Sequence, residues 1–196
     1  MKLENLLLHR EGYVRITDFG LSKDNMDAYT YTNTVCGTPQ YMAPEILRGS
    51  SYSRAVDWWA LGVLMFEMLT GTYPFNGDNV EELFCNIIDN KLVFPSSLKS
   101  EAQFLLNCLL VHDPEYRLGF GEQAAEEVKA NEFFDQFNFE ALLAKKIPAP
   151  FVPKLKNAED VSYFHNNFTK ASPNFTRAKG QPKICEIDQN KFSDFN

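Results

Sequence analysis

Between Asp57 and Leu69 the chain reads Asp-Trp-Trp-Ala-Leu-Gly-Val-Leu-Met-Phe-Glu-Met-Leu, a helix-forming run that is apolar on most sides. Such a helix must be clothed by other elements nearly all round, which predicts a buried central helix and the axis of a core. Thr70-Gly71 ends it. Its uncharged stretch, Trp58 to Phe66, is closed by Asp57 and Glu67 and cannot span a bilayer. With 196 residues and 44% apolar side chains, the chain has material for one domain, or one domain plus a short appendage.

Before that helix, Leu6-Leu7-Leu8 and Tyr13-Val14-Arg15-Ile16-Thr17 flank a turn that Gly12 can close, which predicts a small β-hairpin. Residues 18–56 follow with Gly20, Gly37, Pro39, Pro44 and Gly49 and are expected to be irregular. A connection of that length in a compact domain is usually functional. After the central helix, Asp78 or Asn79 can cap a helix reaching about Asp89. Ser100-Glu101-Ala102-Gln103 has the pattern of a capping box, and a further helix is expected from Gln123 to Asn131. Ile147-Pro148-Ala149-Pro150-Phe151-Val152-Pro153 should then run extended. The fold class is mainly α (α+β), with one small hairpin.

Charge divides the chain. Residues 1–144 carry 10 Lys/Arg against 21 Asp/Glu, and residues 145–196 carry 9 against 5. The net charge of −7 argues against nonspecific nucleic-acid binding. Cys36, Cys85, Cys108 and Cys185 are far apart, which favours reduced thiols over a zinc site. The charged start, Met1 to Gly12, is no signal peptide, and cytoplasmic residence is expected. Ten of the 17 Phe residues fall after residue 132 in a polar, basic tail, which suggests a strap that lies across another surface.

Asp18-Phe19-Gly20 follows the second strand directly, and Ala43-Pro44-Glu45 closes the irregular segment that Asp18 opens. Between them stands Thr34-Val35-Cys36-Gly37-Thr38-Pro39-Gln40-Tyr41-Met42. In this order the motifs resemble those of the serine/threonine protein kinases. Lys2-Leu3-Glu4-Asn5 is similar to the end of the kinase catalytic loop, which puts the catalytic Asp one residue before Met1. The chain thus resembles a kinase C-terminal lobe, with the N-terminal lobe expected outside it as a partner.

The resemblance implies roles. Asp18 and Asn5 would hold Mg²⁺ with ATP as the nucleotide, and Lys2 would stand near the transferred phosphoryl group. Read without the motif, Asp18 is a turn residue at a strand end. Phe19 and Gly20 complete the motif as structural residues. Thr34 would be phosphorylated by an upstream kinase, with Lys23 as a cationic partner; Tyr29, Thr30 and Thr32 are rival sites. Glu45 and Arg117 would form a buried ion pair. Asp57 would accept bonds from the catalytic loop, or simply favour a helix N-terminus through the macrodipole. Glu4 and Glu67 would grip an Arg near the acceptor of a protein substrate. Thr38 fits a hydroxyl acceptor, and Val35, Pro39 and Met42 would line an apolar pocket for the following residue.

The segment from Glu140 to Pro153 resembles the tail of AGC-group kinases, most like the protein kinase N and protein kinase C branches. On that resemblance residues 1–134 are kinase domain and residues 135–196 are AGC tail. Phe164 would reach the nucleotide pocket, Thr176 would be a second phosphorylation site, and Phe192-Ser193-Asp194-Phe195 would dock on the N-terminal lobe. A complete kinase of this type would phosphorylate Ser/Thr of basic-flanked proteins. Taken literally, the 196 residues lack the catalytic Asp, the β3 lysine and the Gly-rich loop, and are expected to be inactive. The alternative is a substrate-docking or regulatory binding module.

Overall fold

The computed structural model describes residues 1–89 and 91–172. They fall into two compact units, Met1–Pro153 and the stretch from Lys154 onward. Thr176, Cys185, Phe192-Ser193-Asp194-Phe195 and Asn196 lie outside the described residues.

A two-stranded antiparallel hairpin opens the first unit. Strand β1 (Leu6–Leu8) pairs with β2 (Val14–Ile16) in the register Leu6 with Ile16 and Leu8 with Val14. Its turn closes through Gly12, whose φ of +84° would strain any residue with a Cβ. The Gly12 N–H donates to the His9 carbonyl at 2.7 Å.

Helix α1 (Pro44–Leu47) and a 3-10 turn at Pro39–Tyr41 punctuate the segment expected to be irregular. Both begin on proline, whose fixed φ suits a first helical position and whose missing N–H would have no partner there. Otherwise residues 18–54 hold no helix, and their one ladder contact is an isolated bridge between Thr32 and Tyr52.

Helix α2 (Ala55–Thr70) is the predicted axis. It ends where Gly71, at φ +77°, donates its N–H to the Glu67 carbonyl at 2.8 Å. Trp59, Ala60, Val63 and Leu64 belong to one core cluster, and Met65 and Phe66 to a second. One helix therefore feeds both halves of the core. Gly62 lets α2 approach Leu109 and Leu110 closely: a Cβ there would stand 2.9 Å from the Leu110 side chain and 3.0 Å from the Leu109 Cβ. Trp59 is fully buried and stacks on Phe75 at 5.8 Å.

Helices α3 (Val80–Asp89), α4 (Ser100–Leu109) and α5 (Ala124–Lys129) surround that axis. Of the two candidate caps for α3, Asn79 is used: its Oδ1 accepts from the Glu82 N–H at 2.8 Å. The expected capping box at Ser100 does not form. Ser100 is already helical, its hydroxyl bonds Glu101, and the Gln103 side chain donates to the Leu98 carbonyl at 2.7 Å. A turn closed by the Leu98 N–H on the Pro95 carbonyl brings the chain into α4 one residue early.

Helix α6 (Phe139–Leu143), capped by Asn138, was not foreshadowed by periodicity. Beyond it residues 146–153 carry neither helix nor strand, and they lie against the hairpin tip. Tyr13 donates its hydroxyl to the carbonyls of Lys145 and Ile147 at 3.2 and 3.0 Å, and Lys145 meets Glu11 at 2.9 Å. Gly12 makes this approach possible, since a Cβ there would fall 2.3 Å from the Phe151 carbonyl oxygen.

Within the second unit, Asp160 accepts backbone N–H groups from Lys156 and Ser162, and His165 caps the short α7 (Asn166–Thr169). Among the described residues no helix is long and apolar enough to cross a membrane.

Candidate functional site

The end of the hairpin places the first two functional side chains. A 3-10 turn at Leu3–Asn5 leads into β1, and Thr17 holds the Asn5 carbonyl with its N–H at 2.9 Å and its hydroxyl at 3.2 Å. One residue on, Asp18 turns to φ +61°, a left-handed conformation that costs a non-glycine residue roughly 1–3 kcal/mol. Its Oδ1 accepts the Gly20 N–H at 3.3 Å, and its Oδ2 accepts the Asn5 amide at 3.4 Å. Thirteen residues apart in sequence, the two side chains meet.

Both line a cavity of about 640 Å³ whose wall also holds Lys2, Lys23, Thr38 and Asp57. Asp57 keeps an exposed face, yet protein crowds the rest of it, and that desolvation raises its carboxyl above the usual range. Among the described residues it makes no hydrogen bond to residues 1–5, and it sits in the first turn of α2, where the helix dipole favours an acid. Among the described residues no three His, Cys, Asp or Glu side chains converge as a metal centre. Asn5 and Asp18 are instead a sparse pair of hard oxygen donors. That chemistry suits Mg²⁺, which keeps most of its shell as water and phosphate oxygens.

Phe19 was expected to be structural, but it is 66% exposed and joins neither core cluster. Gly20 is tight rather than open, since a Cβ there would stand 3.2 Å from the Asp18 Oδ1.

The segment beyond is pinned at several points. The Lys23 ammonium donates to the hydroxyls of Thr32 and Thr34, the latter at 2.7 Å. Of the rival hydroxyls, Thr30 is engaged with Asp27 at 2.8 Å, and the Tyr29 ring packs edge-on to Phe120. Glu45 and Arg117 meet in the interior through two parallel bonds of 2.7 and 2.9 Å, with exposures of 5% and 2%. Arg117 also donates to the carbonyls of Ala55 and Val111 and lies 5.2 Å from the Trp59 ring centre. The pair thereby ties α1 to the start of α2 and to the loop after α4.

The expected trio of Val35, Pro39 and Met42 does not line this cavity together. Met42 turns into the core, Val35 stands 63% exposed, and only Met42 of the three joins the cavity wall. Val35 precedes the 3-10 turn at Pro39–Tyr41 and Met42 follows it.

Glu67, near the end of α2, accepts the Tyr41 hydroxyl, which in turn receives the Leu3 N–H at 3.4 Å. Burial, then the bond to Glu67, holds the Tyr41 phenol well above its ordinary range. Tyr73 packs edge-to-face on Tyr41 at 5.9 Å; it too is raised, by burial and then by the carboxylates of Glu67 and Glu4. Both acids thus bear on one aromatic pair, and among the described residues neither forms an ion pair with a cation. Sequence reasoning missed the two tyrosines. Tyr41 stood inside a recognised motif without a role, and nothing local marks Tyr73, which the Gly71 turn brings back over Glu67. Phe164 lies in the second unit, 52% exposed, with its N–H on the Val161 carbonyl.

Residues 1–134 match the protein kinase domain family. The chain is 49% identical over 197 residues to serine/threonine-protein kinase N2 of Danio rerio, covering all of this chain and 20% of that protein. It is 44% identical over 196 residues to serine/threonine-protein kinase N3 of Mus musculus, again over its whole length and 22% of the relative. Protein kinase C-like 1 of Saccharomyces cerevisiae is 44% identical over 176 residues, which are 90% of this chain and 15% of that one. The chain therefore spans about a fifth of the length of these relatives.

Proposed function

The chain belongs to the protein kinase family, with AGC-group serine/threonine kinases as its relatives, and we propose that its residues carry the C-terminal-lobe half of a phosphotransferase. The observation that carries this reading is the approach of the Asn5 amide to the Asp18 carboxylate at 3.4 Å on a cavity wall. In the proposal residues 1–134 are kinase domain and residues 135–196 are tail, and an N-terminal lobe completes the nucleotide site.

When bound, Mg-ATP supplies the γ-phosphoryl group and the cation that neutralises its oxygens. Asp18 and Asn5 hold oxygen donors toward that cation, with the strained backbone of Asp18 fixing its carboxylate in place. Lys2 offers positive charge at the cavity wall. Thr38 orients a Ser/Thr hydroxyl, and Glu4 and Glu67 receive a substrate Arg beside the Tyr41–Tyr73 pair. Phe164 serves the nucleotide pocket.

Thr34 is modified by an upstream kinase, which moves the ATP γ-phosphoryl to its Oγ1 as ADP leaves and the hydroxyl proton passes to that enzyme's base. Thr176 is a second such site. Cytoplasmic residence accompanies this reading.

In this reading the Gly-rich phosphate loop and the catalytic base belong to the completing part, and the isolated 196 residues dock substrate without transferring phosphate. A fusion tests both halves. Joining the residues that precede the matching segment of kinase N2 to this chain should give transfer to an Arg-containing Ser peptide, and Asp18→Ala should lower kcat by ~10²-fold or more. A fusion whose activity ignores Asp18 would defeat the assignment.

A further inference from the structure

Tyr52 makes no contact that the proposed chemistry requires, yet it touches the Thr34 segment twice. Its backbone exchanges both hydrogen bonds with Thr32, each at 2.9 Å, and its hydroxyl donates to the Thr34 carbonyl at 2.5 Å. The residue is 8% exposed and belongs to the core cluster around Trp59 and Ile46. Tyr52 also stands three residues before α2, so whatever it holds is referred to the buried axis.

Thr34 itself is exposed. Its hydroxyl lies 2.7 Å from the Lys23 ammonium, which is shared with the Thr32 hydroxyl. An exposed loop residue normally loses such a contact by backbone motion, because a lone surface pair is weak. Here the backbone on one side of Thr34 is laddered and its own carbonyl is tied.

We infer that Tyr52 is a positioning residue that holds Thr34 over Lys23, so that a phosphate at Thr34 is captured by that ammonium. The inference rests on the reading of Thr34 as the modified hydroxyl. Thr32, with both backbone groups in the bridge, is the fixed neighbour from which Lys23 is drawn when a dianion arrives.

The test uses the 196-residue chain with phosphothreonine installed at position 34, and titrates its ³¹P resonance with pH. A nearby ammonium favours the dianion, so the wild-type midpoint should lie below the value of about 6 for a free phosphothreonine. Lys23→Met should return it toward that value. Tyr52→Phe keeps the ring in the core and should recover at least half of the Lys23→Met displacement. It should also speed phosphatase removal of the phosphate about fivefold, the worth of one hydrogen bond. Thermal midpoints of all variants verify that the fold persists. A Tyr52→Phe midpoint equal to wild type, with Lys23→Met displaced, would refute the role of Tyr52 and leave the Thr34–Lys23 reading standing. If neither variant moves the midpoint, the phosphate does not meet Lys23, and the reading of that pair falls along with the inference.

Discussion

The Asn5 amide nitrogen lies 3.4 Å from the Asp18 Oδ2, joining the turn before β1 to the second residue after β2. Hairpin register makes that meeting possible. With Leu6 opposite Ile16, residues 5 and 17 flank the open end, and Thr17 clamps the Asn5 carbonyl with two bonds. Asp18 then needs only a left-handed turn to present its carboxylate to the same space.

Removing one partner of the buried Glu45–Arg117 pair strands the other charge. Arg117→Met should therefore destabilise the chain by about 3–5 kcal/mol in urea unfolding, and a double replacement by apolar residues should cost less than that single change. A single variant with wild-type stability would show that the pair does not hold the segment to the helical body.

Gly12→Ala is expected to part the hairpin tip from residues 145–151. The new methyl would overlap the Phe151 carbonyl oxygen, and the positive φ adds strain. Limited proteolysis after Lys145 or Lys146 should accelerate, while urea unfolding of the helical body stays near wild type. Unchanged cleavage would contradict the clamp.

Alkaline stability carries the mark of Tyr41. Its phenol is raised in the folded chain by burial and by the Glu67 carboxylate, so the native state keeps a proton that the unfolded chain releases above pH ~10. Its contribution to stability is complete below that value and declines as pH rises through the folded range. Tyr41→Phe should flatten this decline in denaturation midpoints followed from pH 9 to 11. An equal slope in both proteins would remove Tyr41 as its source.

Asp57 works in the opposite direction for an acid. Burial raises its carboxyl, so its contribution is complete below the unfolded pKa near 4 and is lost as pH rises through the folded value. Asp57→Asn should thus raise the thermal midpoint at pH 7 and leave it little changed at pH 3. A lower midpoint at pH 7 would mean that the charge is stabilising.

Much of this arrangement was legible because it rests on residues close in sequence or on fixed motifs. The apolar faces of Trp58–Phe66 announced the axis, and the β-branched run with Gly12 announced the hairpin. The motif resemblance marked Asn5 with Asp18 and Glu45 with Arg117 as pairs, and the side chains of each pair meet. What escaped depends on chain returns that no local pattern encodes. Tyr73 reaches Tyr41 only after the Gly71 turn, and Tyr52 reaches Thr34 only through the bridge to Thr32. Ser100 had the composition of a cap, yet the Pro95–Leu98 turn decided where α4 starts. Met42 and Val35 were joined by motif analogy and separated by the 3-10 turn between them.

Paramagnetic broadening by Mn²⁺, an octahedral oxygen-seeking stand-in for Mg²⁺, asks most directly whether Asn5 and Asp18 share a cation. In ¹⁵N spectra of the 196-residue chain, the amides of Asn5, Asp18 and their immediate neighbours should fade together at millimolar Mn²⁺, and Asp18→Asn should spare them all. If Mn²⁺ instead broadens the exposed acids of α3 while Asn5 and Asp18 stay sharp, the two side chains do not form a cation site.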